Sequence, residues 1–168
     1  MTKEFLVKLF EHNNWANAQI IDACSTLSDE QLDAEPHSAT KGSIRGTLIH
    51  LVNSQRGYLA LLTKSVEVRR QAAPSITDMA ALQESLRISG DGLLSVAKGE
   101  QETFHASRLE TTDGYHVEPW VVILQVINHA TEHREQIKSM LTALGATPPS
   151  MDGWDYGEVT HTLVPIPK

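Results

Sequence analysis

The segment from Pro119 to Gly145 constrains the fold most strongly, because it has the pattern of one long helix with both ends marked. Proline is tolerated at a first helical position, and glycine is the preferred residue just beyond a helix C-terminus. Between them, apolar residues recur at spacings of three and four, which is the period of a helix with one buried face. Such a helix needs other elements to cover that face.

A second periodic segment lies near the start of the chain, where an apolar stripe runs from Leu6 to Leu27. Asn13 and Asn17 fall on this stripe, and polar residues there need hydrogen-bond partners. They could orient a ligand imidazole through its free ring nitrogen, or bond to loop backbone, and we favour the structural role. Ser28 then begins a short turn as its cap.

Two further helices follow. The first is predicted to begin at Ser43 and to run through "IRGTLIHLVNSQRGYLALLTKSV". The motif "SITD" at 75–78 has the form of a capping box, and it predicts a helix that reaches about Lys98. Gly90 and Gly92 weaken the middle of that helix, because glycine is a poor helix former.

Alternating residues around Asp113 and Gly114 predict a short β-hairpin between the third and fourth helices. The tail, about 146–168, is expected to be irregular and to dock through its apolar residues. The sequence therefore predicts an all-α four-helix bundle with a short β-hairpin, as a single domain over 1–168.

Charge and composition exclude several classes of function. The 168 residues carry a formal net charge of −7, which argues against a nucleic-acid partner because phosphate binding needs a basic surface. No segment has the length of a membrane span, and the N-terminus lacks the apolar block of a signal peptide. One cysteine, Cys24 on the apolar stripe, forms no intrachain disulfide and is expected in the core. A cytoplasmic protein is expected.

The stretch "INHATEHREQ" places His129 and His133 four residues apart, and so on one face of the last helix. Eight histidines in 168 residues predict about 0.4 such pairs by chance, so the pair alone is a weak motif. Two imidazoles on an apolar face lose hydration unless they find partners, and one shared metal ion would satisfy both. The alternative is a pair of histidines at the rim, each bonded to water or to a neighbouring side chain.

His50, on the second helix, is the best third ligand for such a site, which needs a donor from another element. Its neighbours at helical spacing are small: Gly46, Thr47, Asn53, Ser54 and Gly57. These small residues leave a hollow beside the His50 ring, where a packed core would place large side chains. The sequence therefore predicts a metal site formed by His50, His129 and His133.

The remaining candidates are weaker. The pattern H-x-x-E-H, with Glu132 as general base, resembles an inverted zinc-peptidase motif, but we interpret Glu132 as a solvated residue followed by Arg134 on the polar side. No general base is nominated. The other histidines are not expected to bind metal: His12, His37, His105, His116 and His161.

Four segments together resemble the DinB-like family: "HNNWANAQI", "GSIRGTLIHLVNSQ", "INHATEHREQI" and "LGATPPSMDGWDY". They occur in the family's order and span most of the chain. The resemblance implies a four-helix bundle, commonly dimeric, with a divalent metal on His50, His129 and His133. It also implies kinship with metal-dependent transferases of low-molecular-weight thiols.

The expected function is that of a metal-dependent enzyme acting on a small electrophile, by thiol transfer or hydrolysis. The alternative is a non-catalytic, metal-stabilised, stress-related binding protein. Zinc and nickel both suit neutral imidazole ligands, so both remain candidates. The expected partners are a small-molecule substrate, including a low-molecular-weight thiol, and a second copy in a homodimer.

Overall fold

The computed structural model describes residues 3–36, 42–71, 76, 78–101 and 108–166. Within these ranges the chain forms seven helices and one antiparallel pair of short strands. In chain order they are α1 (Lys3–Ser25), α2 (Asp29–Asp33), α3 (Ile44–Thr63), α4 (Val66–Arg69), α5 (Met79–Lys98), β1 (Leu109–Glu110), β2 (His116–Val117), α6 (Pro119–Ala143) and α7 (Gly153–Val159). The predicted all-α class with a short β-hairpin is confirmed.

The helix ends follow local capping chemistry. Ser43 caps α3 by accepting a hydrogen bond from the Gly46 backbone N–H. Pro119 opens α6, and Gly145 follows it with a φ of 78°. The predicted start of α5 is wrong, because Asp78 is its cap and accepts from the Ala81 backbone N–H. Ser75 and Thr77 of the predicted capping box lie outside the described residues.

Four long helices form the bundle, and the contacts between them show which helices are adjacent. Helices α1 and α3 each pack against both α5 and α6, which places α1 diagonally across from α3. Apolar side chains fill the interior in two separate clusters. One contains Ile20, Leu48, Leu82 and Ile137, and the other contains Phe10, Leu62, Leu93 and Val126.

A layer of buried polar side chains lies between the two apolar clusters. We call it the polar layer, and its members are Asn13, Asn17, Gln55, Ser89 and Arg134. Arg134 Nη1 donates to Asn13 Oδ1 at 2.9 Å and to Asn17 Oδ1 at 2.6 Å. Asn17 Nδ2 donates to Gln55 Oε1 at 2.9 Å, which joins the two diagonally placed helices. Gln55 Nε2 donates to Ser89 Oγ at 2.9 Å, so the layer reaches all four long helices.

The polar layer corrects two predictions. Arg134 is 4% exposed, and so it is not on the polar side of its helix. The oxygens of Asn13 and Asn17 accept from this guanidinium, and within the described part of the chain neither asparagine bonds to an imidazole or to loop backbone. Burial lowers the pKa of Arg134 to about 10, which still leaves the group charged at neutral pH.

The two glycines of α5 are explained by close packing. A Cβ on Gly90 would lie 2.7 Å from Asn14 Oδ1, and one on Gly92 would lie 2.5 Å from Leu59 Cδ2. Both distances are shorter than van der Waals contact. The weak helix formers that sequence analysis noted are therefore the residues that let α1 and α3 approach α5.

The tail is more regular than predicted, since α7 follows a capping box at Asp152. It docks on α1 through Met151, whose carbonyl oxygen lies 3.0 Å from His12 Nε2, and through Tyr156, whose ring is 5.3 Å from that of Trp15. Apolar side chains elsewhere in the tail stay exposed, so the expected docking is only partial: Trp154, Val159, Val164 and Ile166.

Cys24 is fully buried, as predicted, and burial raises the pKa of its thiol to about 12. Such a thiol is protonated at neutral pH and unreactive. Among the described residues, no helix combines the length and the apolar character needed to cross a bilayer.

Candidate metal site

The site forms where α3 packs against α6. Helix α3 supplies His50, and α6 supplies His129 and His133 from successive turns of one face. His133 is buried, His129 is partly buried and His50 is exposed. The three predicted residues therefore meet at the edge of the bundle, where a small molecule can approach from solvent.

The three imidazoles converge through the same ring nitrogen. His129 Nε2 lies 3.0 Å from His50 Nε2 and 3.1 Å from His133 Nε2. The rings are steeply inclined to one another, with an angle of 86° between His50 and His133 and 75° between His129 and His133. The Nε2 atoms of His129 and His133 lie closer together than the ring centroids, which are 4.3 Å apart, so these rings meet through their nitrogens.

A hydrogen bond fixes the tautomer of His133. Its Nδ1 lies 2.8 Å from Gln136 Oε1, and an amide oxygen only accepts, so Nδ1 carries the proton. The Nε2 atom of neutral His133 is therefore an unprotonated acceptor that faces His129. This is the arrangement found around metal-binding histidines, whose second nitrogen donates to an oxygen.

Proton counting shows why these nitrogens suit a cation. With neutral rings, His129 Nε2 must donate to satisfy the contact with His133. That atom carries a single proton, so it cannot make a full hydrogen bond both to His133 and to His50 Nε2 at 3.0 Å. A cation bound at all three nitrogens would satisfy both close contacts at once.

The distances also fit a metal ion. Tetrahedral zinc bound at about 2.0–2.1 Å places its nitrogen ligands about 3.3 Å apart, and octahedral geometry places them closer. The two distances from His129, 3.0 and 3.1 Å, fall in that range, and the possible ligand atoms of all three histidines lie within 4.8 Å of one another. Among the described residues, the histidine, cysteine and acidic side chains close enough to share an ion here are His50, His129 and His133.

Where the structure describes them, the other candidate residues lie outside this group. Glu132 is exposed and lies outside the group that could hold an ion. His12 contacts the tail, and His116 is on the exposed hairpin. His37 and His105 lie outside the described residues.

Sequence reasoning missed two neighbours of the site. Tyr58 presents its ring edge-on to His129, with centroids 5.6 Å apart. It lies eight residues after His50, about two helical turns further along the same side of α3. Gln136 lies three residues after His133, which is the spacing at which helical side chains meet. This spacing was the available signal for Gln136.

Comparison with known proteins identifies the family. A family model described as the DinB family matches residues 1–167. The chain belongs to the DinB family. It is also 28% identical over 164 residues to "Protein DinB" of Bacillus subtilis (strain 168), an alignment that covers 92% of each protein. The resemblance found in the sequence motifs is thus confirmed along nearly the whole chain of this DinB family protein.

We expect Gln136→Ala to lower the affinity of this DinB family protein for divalent metal by about 10- to 100-fold. Without the Gln136 oxygen, the His133 ring can rotate or adopt the other tautomer, so its Nε2 is no longer held toward the site. Isothermal titration with zinc measures the change. Gln125→Ala is the matched control, because Gln125 is exposed on the same helix. Equal zinc affinity in the Gln136→Ala variant and the wild type would contradict this role.

Proposed function

We propose that this DinB family protein is a metal-dependent enzyme that transfers a thiol to a small electrophilic molecule, or hydrolyses that molecule. The observation that carries the proposal is the convergence of three Nε2 atoms without a fourth protein ligand among the described residues. Structural zinc sites are closed by four protein ligands, whereas catalytic sites keep one position for water or substrate.

The chain's own residues have distinct tasks in this proposal. His50, His129 and His133 would hold one zinc or nickel ion through Nε2, and Gln136 keeps the His133 lone pair available. When bound, the ion would lower the pKa of a thiol or of water at its open position. The edge contact from Tyr58 limits rotation of the His129 ring.

The thiol-transfer reaction is a nucleophilic displacement. The thiol gives its proton to water, and its sulfur forms a bond to the electrophilic carbon. The bond from that carbon to the leaving group breaks, and the leaving group departs with the electron pair. Hydrolysis has the same balance with water in place of the thiol. No side chain is assigned as general base.

The test begins with the metal content of protein purified without tags or chelators. We expect about one divalent ion per chain. Protein loaded with zinc or nickel is then incubated with several low-molecular-weight thiols and electrophiles, and products are identified by mass spectrometry. Conjugates should form with the loaded protein and not with the His129→Ala variant. Purified protein without bound metal would overturn the proposal.

We also propose that the protein forms a homodimer through the exposed apolar part of its tail. Trp154 and Val164 are each 72% exposed, and Ile166 is 90% exposed. Large exposed apolar side chains of this kind are available for a protein–protein contact. Light scattering at micromolar concentration should give twice the chain mass, and a monomer there would rule the dimer out.

A further inference from the structure

A second feature of the surface is a groove between the outer faces of α3 and α5, with α4 at one end. Its volume is about 970 Å³. We call it the basic groove, because Arg56, Lys64 and Arg69 line it. Val68 and Ile88, which are about half exposed, add apolar surface. Cavities of this size suit organic molecules rather than single ions.

Among the described residues, no carboxylate forms an ion pair with the cations of the basic groove, although the protein is acidic overall. Five other described cations each form an ion pair with a carboxylate: Lys8, Arg45, Arg70, Arg87 and Lys138. Glu84 also lines the groove and pairs with Arg87 at 2.7 Å, while Arg87 also pairs with Asp91 at 2.8 Å. The lining still carries three cations against this one carboxylate. The groove is therefore a local positive region on a negatively charged protein, which suits an anionic ligand.

Hydrogen bonds hold two of these cations in place. Arg56 Nη1 donates to Asn53 Oδ1 at 3.1 Å, which directs the guanidinium back along α3 toward His50. Arg69 donates to the backbone oxygens of Lys64 and Glu110. Ordered cations lose less side-chain entropy when they bind an anion.

Gly57 lines the groove without a side chain. A glycine inside a helix costs about 1 kcal/mol relative to alanine. Packing explains Gly90 and Gly92, but a Cβ on Gly57 would have no atom within 4 Å. The missing side chain thus leaves open space in the groove that the fold itself does not require.

The basic groove begins close to the three-histidine cluster. Asn53 lines the groove and lies three residues after His50, about 4.5 Å along the helix axis. Gly57 lies seven residues after His50, about 10.5 Å along the axis and nearly on the same side of the helix. A ligand about 10 Å long that crosses the outer side of α3 would therefore span the distance from His50 to Gly57.

We propose that the basic groove binds the anionic, partly apolar part of the substrate whose reactive group lies at the three-histidine cluster. The substrate is then an extended organic acid, with a carboxylate or sulfonate about 10 Å from the reacting atom. This inference rests on the proposed function, because it assigns the reacting end to the histidine site.

The groove is tested first without metal, by fluorescence titration with anilinonaphthalenesulfonate and its uncharged counterpart phenylnaphthylamine. The double variant Arg56→Gln/Lys64→Gln should weaken binding of the sulfonate about tenfold and leave the neutral probe unchanged. The control double variant Lys3→Gln/Lys98→Gln removes the same amount of charge outside the groove. It should leave the affinities for both probes unchanged. Gly57→Leu should weaken both probes by filling the groove. Equal sulfonate affinity in the two double variants would overturn the anion site.

The link to the histidines is tested on zinc-loaded protein with mercaptooctanoate and mercaptooctanol, which share a thiol and differ in the distal group. Wild-type protein should bind the acid about tenfold more tightly than the alcohol, and Arg56→Gln/Lys64→Gln should abolish that difference. A preference that persists in this variant, or none in the wild type, would overturn the link. Protein that does not load zinc disproves the metal site, while the metal-free titration still decides the anion site.

Discussion

His129→Ala should reduce the affinity of the protein for zinc by more than about a hundredfold, which exceeds the usual effect of losing an outer partner of a metal ligand. His129 Nε2 is the nitrogen within 3.0 Å of His50 Nε2 and 3.1 Å of His133 Nε2. Removing it leaves one ligand on each of two helices, and two imidazoles hold zinc weakly. The imidazole loss should leave the fold intact, because His129 lies at the edge of the bundle.

Metal content after dialysis and the zinc dissociation constant both measure this effect. His116→Ala is the control, since it removes a histidine from the exposed hairpin. Circular dichroism should give the same helix content for both variants and the wild type. His50→Ala and His133→Ala should also lose metal strongly. Full retention of metal by any one of the three variants would exclude that histidine as a ligand.

The metal candidates were predictable because each left a local signal in the sequence. His129 and His133 are one helical turn apart, and small residues surround His50. A helical register is enough to place such residues on a face, and the amphipathic stripes place that face against another helix. The capping residues Ser43 and Pro119 were predictable for the same reason, since capping depends on a few neighbouring residues.

The polar layer was not predictable in this way. Arg134 bonds to Asn13 and Asn17, which are 121 and 117 residues away in the chain. An arginine flanked by Glu132 and Glu135 has the local pattern of a solvated helix face. Only the packing of α1 against α6 shows that two asparagine oxygens meet its guanidinium. Local periodicity carries no information on which polar residues pair across helices.

The start of α5 and the tail show where sequence motifs fail to predict the beginning of a helix. Both Ser75 and Asp78 are capping residues by type, and the spacing alone favoured the earlier one. In the tail, the glycines and prolines around "MDGWDYGEV" suggested irregular chain, yet Asp152 and Asp155 form a reciprocal cap that starts α7. A short helix docked through Met151 and Tyr156 depends on tertiary contacts more than on propensity.

Asn17→Leu should destabilise the protein by about 3 kcal/mol or more. Asn17 joins two parts of the polar layer, since its Oδ1 accepts from Arg134 at 2.6 Å and its Nδ2 donates to Gln55 at 2.9 Å. Leucine has the same number and branching of side-chain heavy atoms as asparagine, but it leaves a buried cation with one acceptor fewer. It also leaves Gln55 Oε1 without its donor, and a buried unsatisfied acceptor costs about 1–3 kcal/mol.

Chemical denaturation followed by circular dichroism measures the loss, with Asn128→Leu as the same exchange on an exposed helix position. The free energy of unfolding of that control should stay within about 0.5 kcal/mol of the wild-type value. Adding Arg134→Met to Asn17→Leu should recover part of the loss, because the double variant no longer buries an undersatisfied charge. If the free energy of unfolding of Asn17→Leu lies within about 1 kcal/mol of the wild-type value, the polar layer does not stabilise the bundle. Recovery in the double variant would show that the buried charge, rather than lost packing, causes the destabilisation.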